Sequence, residues 1–379
     1  MRFDLTDEQR EIQELARRFT ADRITPFAAD WDERSIFPRD TIRAAAELGF
    51  GAIYVSEEGG GIALGRLESA LIMEAMAYGC PSTAAFVSIH NMAAWMLDRF
   101  GPPELKAAHL AALVTMERMA SYCLTEASSG SDAAALKTKA VREGDTYVVT
   151  GSKQFISGGG ENEVYLVMVR TGGEGPGGIS CLLIEKDMPG VSFGAQEKKL
   201  GWHSQPTAAL ILDGVRVPVG NRLGAEGEGF KIAMAGLDGG RVNIGACSLG
   251  GAQRCLDEAV RYTRERRQFG RAVAEFQNTQ FTLADMETEL QAARHLLYAA
   301  AEKVTADAPD KTRFAAMAKR LATDSGSKVA DAALQLHGGY GYLRDYPIER
   351  FWRDLRVHSI LEGTNQVMRM IVGRELTRD

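Results

Sequence analysis

Cysteine is scarce, with five in 379 residues, and no two are spaced as C-x-x-C. An odd, irregular set of this kind suits buried thiols in a reducing compartment better than a disulfide framework or a zinc site. The six histidines form no H-E-x-x-H or other paired-ligand spacing, so no metal is expected. No run of 18 apolar residues occurs, and Met1-Arg-Phe-Asp-Leu-Thr-Asp7 carries no cationic, apolar leader. The chain therefore reads as soluble and cytoplasmic, or as a mature form without its leader, and no membrane is expected as a partner. A net charge of −6 with no single-sign tail argues against a protein held by nucleic acid phosphates. Internal repeats and low-complexity tracts are lacking too.

What is present is a pattern that changes twice. From Thr6, with Gln9 three residues on in capping-box fashion, Ile12, Leu15, Ala16 and Phe19 recur at helical spacing until Pro26. Helical stretches follow near 40–48, 67–78, 83–100 and 103–116. From about Ser121 the period shortens, and 146–149, 164–169, 179–184 and 209–212 read as strands between Gly-rich turns. Beyond Gly224-Ala-Glu-Gly-Glu-Gly229 the helical period returns, with long candidates near 230–266, 278–306 and 310–337. The expected boundaries are 1–120 for an N-terminal helical domain, 121–226 for a middle β domain and 227–379 for a C-terminal helical domain. Helix, then strand, then helix fits an α+β chain and not the alternating units of a parallel nucleotide-binding sheet. The string Gly173-Glu-Gly-Pro-Gly-Gly178 formally matches G-x-G-x-x-G, but it lies between two strands and opens no helix, so it reads as a hairpin loop.

Two segments near the C-terminus carry chemistry. Glu362 stands in Ile360-Leu-Glu-Gly-Thr-Asn-Gln366, where Thr364 or Asn365 would cap a helix running to Arg374, about two dozen residues after Gln335-Leu-His-Gly-Gly-Tyr-Gly-Tyr342. Alone, such a Glu is a surface residue complementing a helix dipole. Together with Tyr122-Cys-Leu-Thr-Glu-Ala-Ser-Ser-Gly-Ser-Asp132 and Arg266-Arg-Gln-Phe-Gly270, these segments resemble the acyl-CoA dehydrogenase family of flavoenzymes, over essentially the whole chain. Within it, Gly201–Thr207, Gly236–Arg241, Ala246–Gly250 and Arg356–Gly363 look closest to members acting on isobutyryl-CoA.

The resemblance implies an N-terminal all-helical domain, a middle antiparallel β domain and a C-terminal four-helix bundle, with FAD as cofactor. It implies that Tyr122, Cys123, Leu124, Thr125, Ser129, Gly130 and Ser131 line the isoalloxazine and ribityl part of FAD, Ser131 also touching the acyl-CoA. The small residues there would let backbone approach a ring or phosphate closely, though a plain Ser/Gly loop reads the same way. Phe155, Ile156 and Ser157 match the segment beside the flavin ring; many relatives carry Trp in place of Phe155, so the indole donor is lost here. Arg266 offers a fork for the FAD pyrophosphate. In the family it lies with Gln268, Phe269, Phe276, Gln277 and the 335–339 loop (Gln335, Leu336, His337, Gly338, Gly339) against the FAD of a neighbouring subunit, which implies an obligate oligomer, expected as a homotetramer with a dimer as the alternative. His337 reads as a structural hydrogen-bonder. Thr364, Asn365 and Gln366 also contact the cofactor in the family.

The same resemblance makes Glu362 the base that removes the acidic α-proton of an acyl thioester, the β-hydride passing to flavin N5. Some relatives carry this Glu on another helix, at the position of Gly240, which has no side chain here. Asp238, Gly239, Gly240, Arg241 and Arg374 are candidate substrate contacts, with capping and ion-pair roles as alternatives, and Phe86 and Met92 are candidate pocket walls. The expected partners are an acyl-CoA, favoured as isobutyryl-CoA going to methacrylyl-CoA, and electron-transfer flavoprotein. A straight-chain or 2-methyl-branched substrate, an oxidase, a nucleic-acid-binding flavoprotein and a structural oligomer stand as alternatives.

Overall fold

The computed structural model describes residues 4–377. Its first third is helical: α1 (Asp7–Arg23), α2 (Ala28–Glu33), α3 (Arg39–Ala46), α4 (Arg66–Gly79), α5 (Pro81–Phe100) and α6 (Pro103–Val114). Local signals set the ends. The Gln9 N–H donates to Thr6 Oγ1 at 3.2 Å and the Thr6 N–H to Gln9 Oε1 at 3.0 Å, completing the capping box expected there. Pro81 opens α5 from the first turn, where its missing N–H costs no hydrogen bond.

Eight strands follow, β1 (Ala120–Cys123), β2 (Lys139–Glu143), β3 (Thr146–Ser157), β4 (Val164–Arg170), β5 (Ile179–Glu185), β6 (Val191–Phe193), β7 (Thr207–Pro218) and β8 (Arg222–Leu223). The main path runs β6-β7-β3-β2-β4-β5-β8, with β1 added beside β4. Most neighbours are antiparallel, but β1 runs parallel to β4, Ala120 facing Val164, and β2 touches β4 in parallel at Lys139, so the sheet is mixed. A strand arriving from a helical domain has no hairpin partner behind it, which frees it to pair in either direction.

The apolar runs of β4 and β5 are continuous because both faces are covered. Leu166, Met168, Cys181 and Leu183 point to a cluster shared with Met92 and Leu97 of α5, whereas Tyr165, Val167, Leu182 and Ile184 join Val149, Leu210 and Val217 on the other side. The 173–178 loop joins β4 to β5 as a hairpin containing one short 3-10 turn, tied down by Arg170, which donates to the Gly173 and Gly175 carbonyls.

The last third holds α7 (Gly229–Glu265), a two-strand ribbon of β9 (Arg267–Gln268) and β10 (Arg271–Ala272), α8 (Gln277–Thr305), α9 (Lys311–His337), α10 (Ile348–Arg356) and α11 (Asn365–Leu376). The three long helices fall within two residues of the limits read from periodicity. They pack on one another, α10 and α11 lie against α9, and α4 docks on both α7 and α8. One core therefore runs from Ala16 and Phe50 through Leu71 and Ile244 to Leu297 and Leu355, so the two helical ends of the chain share a single apolar interior. Close approach explains some of the glycine in α7: a Cβ on Gly250 would strike the Glu74 carbonyl of α4.

Candidate active site

Glu362 sits on a turn between a 3-10 stretch at Val357–Ser359 and α11. Its φ is +53° and that of Gly363 is +90°, two consecutive residues in the left-handed region. Such a backbone turns the Glu362 side chain away from both neighbouring helices. Thr364 caps α11, its Oγ1 accepting from the Val367 N–H at 3.2 Å, as the sequence led us to expect. Asn365 turns instead toward α9, donating to Thr323 Oγ1 at 2.9 Å and Asp324 Oδ1 at 2.7 Å. Gln366 is exposed.

The strained turn is held by two buried cations. Lys319 of α9 donates to the Gly363 carbonyl at 2.9 Å and to Asn365 Oδ1 at 3.0 Å. Arg241 of α7 donates through Nε to the Glu362 carbonyl at 3.4 Å and through Nη1 to Asp238 Oδ1 at 2.9 Å, while Thr312 donates to the other Asp238 oxygen at 2.7 Å. Asp238 and Arg241 are thus buried and spend their polar atoms on each other and on the turn. Arg374 is exposed near the end of α11.

The carboxylate itself is enclosed. Both Glu362 oxygens are shielded from solvent, and neither has a hydrogen-bond partner among the described residues. Burial pushes its pKa up to about 7, against the opposing pull of Lys319 and Arg241. Burial likewise brings Lys319 down to about 8, with Glu362 acting to raise it. Glu362 lies against α7 where Gly240 leaves room: a Cβ there would collide with Glu362 Oε2 and stand 3.2 Å from Met92 Sδ. Met92 therefore reaches the site, whereas Phe86 packs into the helical core against Phe37, ring centroids 4.7 Å apart. Tyr122 belongs to the same neighbourhood, since both Glu362 and Arg241 act on its hydroxyl.

The loop after β1 is built on a buried ion pair. Lys153 Nζ donates to Glu126 Oε1 at 2.8 Å and to the Leu124 carbonyl at 3.1 Å, and Glu126 also accepts the Lys137 and Thr138 N–H groups. Cys123, Leu124 and Ser129 are buried, Tyr122 and Thr125 partly so, and Gly130 and Ser131 open to solvent. A Cβ on Gly130 would meet nothing. Across β3, Phe155 has φ +58° and is 63 % exposed, while Ile156 is buried and Ser157 partly buried. An exposed aromatic in the left-handed region of a strand, beside an open small-residue loop, offers a flat apolar face and free backbone to a planar ring system.

A second group lies at the outer end of α7. Arg266, Gln268, Gln277, Gln335, Gly338 and Gly339 are exposed, Leu336 and Phe276 partly so, and Phe269 is 95 % exposed. Arg266 stands 5.5 Å from the Tyr340 ring, which joins the 266–277 and 335–340 segments into one surface. His337 is buried, stacked on Tyr262 at 4.3 Å and bonded to the Ala333 carbonyl at 2.8 Å. Among the described residues, no group of three or more His, Cys, Asp or Glu is placed to hold a metal. No helix among them is long and apolar enough to cross a membrane.

Comparison with known proteins agrees along the whole length. Residues 6–117, 121–215 and 227–377 match the N-terminal, middle and C-terminal domains of acyl-CoA dehydrogenase. The chain belongs to the acyl-CoA dehydrogenase family. It is an oxidoreductase of a family that uses FAD. It is 56 % identical to the mitochondrial isobutyryl-CoA dehydrogenase of Dictyostelium discoideum, over 99 % of this chain and 90 % of that one. Among solved structures it resembles butyryl-CoA dehydrogenase from Megasphaera elsdenii, at 38 % identity and a TM-score of 0.97 over all of both chains. A chain in the structure of the electron transferring flavoprotein of Acidaminococcus fermentans matches at 42 % identity, again with a TM-score of 0.97 over all of both chains.

Four side chains of the site escaped the sequence reading. Lys319 carries a signal in retrospect: it falls on the stripe of Ala315, Ala318 and Ala322, the buried face of α9. The Lys153–Glu126 pair left none, because its partners are 27 residues apart. Arg66, at the start of α4, looks like a surface charge in sequence yet is buried at the site.

Proposed function

We propose that this protein dehydrogenates a short branched acyl-CoA, favoured as isobutyryl-CoA to methacrylyl-CoA, with Glu362 removing the α-proton. The observation that carries this reading is a carboxylate with two buried, partnerless oxygens and a pKa near 7, aimed at the hollow left by Gly240. A base of that strength takes a proton near neutral pH, and the surroundings that raised its pKa then favour the neutral acid. Lys319 and Arg241 keep enough of it ionised to start, and by bonding the 362–363 carbonyls they hold the carboxylate still. The Glu362 backbone N–H is our candidate donor to the thioester oxygen, a contribution of about 3 kcal/mol to the transition state. FAD, when bound, supplies the acceptor for the β-hydride. The open Phe155 ring and the Tyr122–Ser131 loop are the residues we assign to its ring and ribityl chain.

Arg266 follows Arg241 by 25 residues on one continuous helix, about 37 Å at 1.5 Å per residue. That span exceeds the reach of a ribityl chain from flavin to pyrophosphate. On the family resemblance, which this span agrees with, Arg266, Gln268, Phe269, Phe276, Gln277 and the 335–339 loop are assigned to the FAD of a second copy, in an oligomer favoured as a homotetramer. The branched substrate is supported by the Dictyostelium relative, and electron-transfer flavoprotein as acceptor by the Acidaminococcus structure. Anaerobic titration of the purified flavoprotein with isobutyryl-, butyryl- and 2-methylbutyryl-CoA, followed at the visible flavin band, tests the whole reading. Preferential bleaching by isobutyryl-CoA is expected. Preference for butyryl-CoA would move the substrate, and no bleaching by any of the three would overturn the reading.

A further inference from the structure

Arg66 is an anomaly beside the site. Its side chain is buried, and its Nη1 has no hydrogen-bond partner among the described residues. The guanidinium lies 3.5 Å from the centroid of the Tyr54 ring and 5.0 Å from that of Trp95. Its far edge rests on α7: a Cβ on Gly239 would collide with Nη1, just as one on Gly240 would collide with the Glu362 carboxylate. Two charged groups from distant parts of the chain thus seat on consecutive glycines. Tyr54 ties them further, since its hydroxyl lies within electrostatic reach of both Arg66 and Glu362 and accepts from Asn243 at 3.4 Å. Opposite, α5 presents Met92 toward Gly240, Met96 toward Gly236 and Trp95 toward Arg66.

We infer that Arg66 is a specificity-determining residue, whose guanidinium closes the acyl space next to Glu362 and limits it to short chains. The inference rests on the acyl-CoA dehydrogenase reading and deepens it. A guanidinium suits the task because it is planar, weakly hydrated and stacks on aromatic faces, so it forms a firm wall where an alkyl side chain would yield. A longer acyl chain would have to displace the cation from Tyr54 and Trp95 at the cost of both ring contacts. The sequence hides this: Arg66 is one cation among Gly65, Leu67 and Glu68, and only the packing of α4 on α7 turns it inward.

The test measures affinity of unreactive S-alkyl-CoA thioethers for the FAD-loaded protein by calorimetry, with butyl and hexyl chains, in wild type, Arg66→Ala and Arg66→Met. Wild type should prefer butyl. In Arg66→Ala the hexyl-to-butyl affinity ratio should rise up to about sixteenfold, since each of the two methylenes newly buried is worth about fourfold, and Arg66→Met, which refills part of the space, should show a smaller rise. An unchanged ratio in whichever variant keeps its FAD overturns the inference. Loss of FAD and folding by both variants overturns it too, because Arg66 is then a structural brace. The parent reading is judged separately, by whether isobutyryl-CoA bleaches the wild-type flavin.

Discussion

Glu362 concentrates the chemistry into one titration. Its pKa of about 7 stands above its ordinary value near 4.5 because of burial. In the proposed reaction the ionised form is the active one, so kcat/KM for flavin reduction should fall about tenfold per pH unit below 7 and level off above it, a profile that stopped-flow measurement resolves. Glu362→Gln should bind FAD and acyl-CoA yet reduce flavin at least a hundredfold more slowly; near-normal turnover would remove Glu362 as the base. Stability runs the other way. A carboxyl whose folded pKa is raised destabilises the fold fully above pH 7, and the penalty is relieved as pH falls from 7 toward 4.5. At pH 8 the Gln variant should therefore unfold at higher denaturant, by up to about 3 kcal/mol. Lys319→Met removes the leading charge that opposes burial, so the acid limb of the rate profile should move to higher pH.

At the scale of elements, the turn and the loop are each held by a lysine from elsewhere in the chain. Gly363 has φ +90°, and a Cβ there would meet Met368 Cε at 2.6 Å. Gly363→Ala should cost roughly 1–3 kcal/mol in denaturant unfolding and slow flavin reduction with it, because the strain falls next to the base. The Lys153–Glu126 pair fixes the loop after β1 against β3. Removing one partner leaves a buried charge unpaired, about 3–5 kcal/mol for a fully buried site. Lys153→Met should accordingly weaken FAD retention in gel filtration and lower the unfolding midpoint; full FAD occupancy in that variant would show that the loop stands without the pair.

The whole molecule depends on joints between its parts. Arg353 of α10 forks onto Asp32 of α2, with contacts of 2.6 and 3.2 Å, and also holds Glu349 at 2.7 Å, while Asp32 takes His203 of the β region at 3.2 Å. Next to it the Trp202 N–H donates to Asp354 at 2.6 Å. Arg353→Met should lower stability by about 2–3 kcal/mol, less than for a fully buried pair because its side chain is partly exposed. The outer surface carries Phe269, Tyr342 and Leu376, each more than two-thirds exposed. In the proposed tetramer Phe269 is covered, and Phe269→Asp should shift sedimentation toward smaller species.

The limits of the long helices were legible because periodicity and punctuation are local: Thr6 and the stripe of α9 each act within one or two turns. Strand limits were less so: β3 and β7 run to Ser157 and Pro218, well past the 146–149 and 209–212 read from the pattern, because half-exposed strands carry mixed polar positions. Glu362 was legible only through the family resemblance of its segment; Gly363 and Thr364 beside it supply the turn and the cap, and on local signals alone it reads as a surface residue. What a single line of residues leaves open is which distant groups meet there. Lys319 stands 43 positions before Glu362, Arg241 121 and Arg66 nearly 300. Their burial is decided when α4, α7 and α9 close on one core, and only then does a lysine become a brace, an arginine a wall and two glycines the seats for a pair of charges. Sequence determined the long helices and, through the family resemblance, singled out Glu362 as the candidate base. Tertiary structure decided its surroundings, because desolvation and Coulomb interaction depend on distance in space and not on separation along the chain.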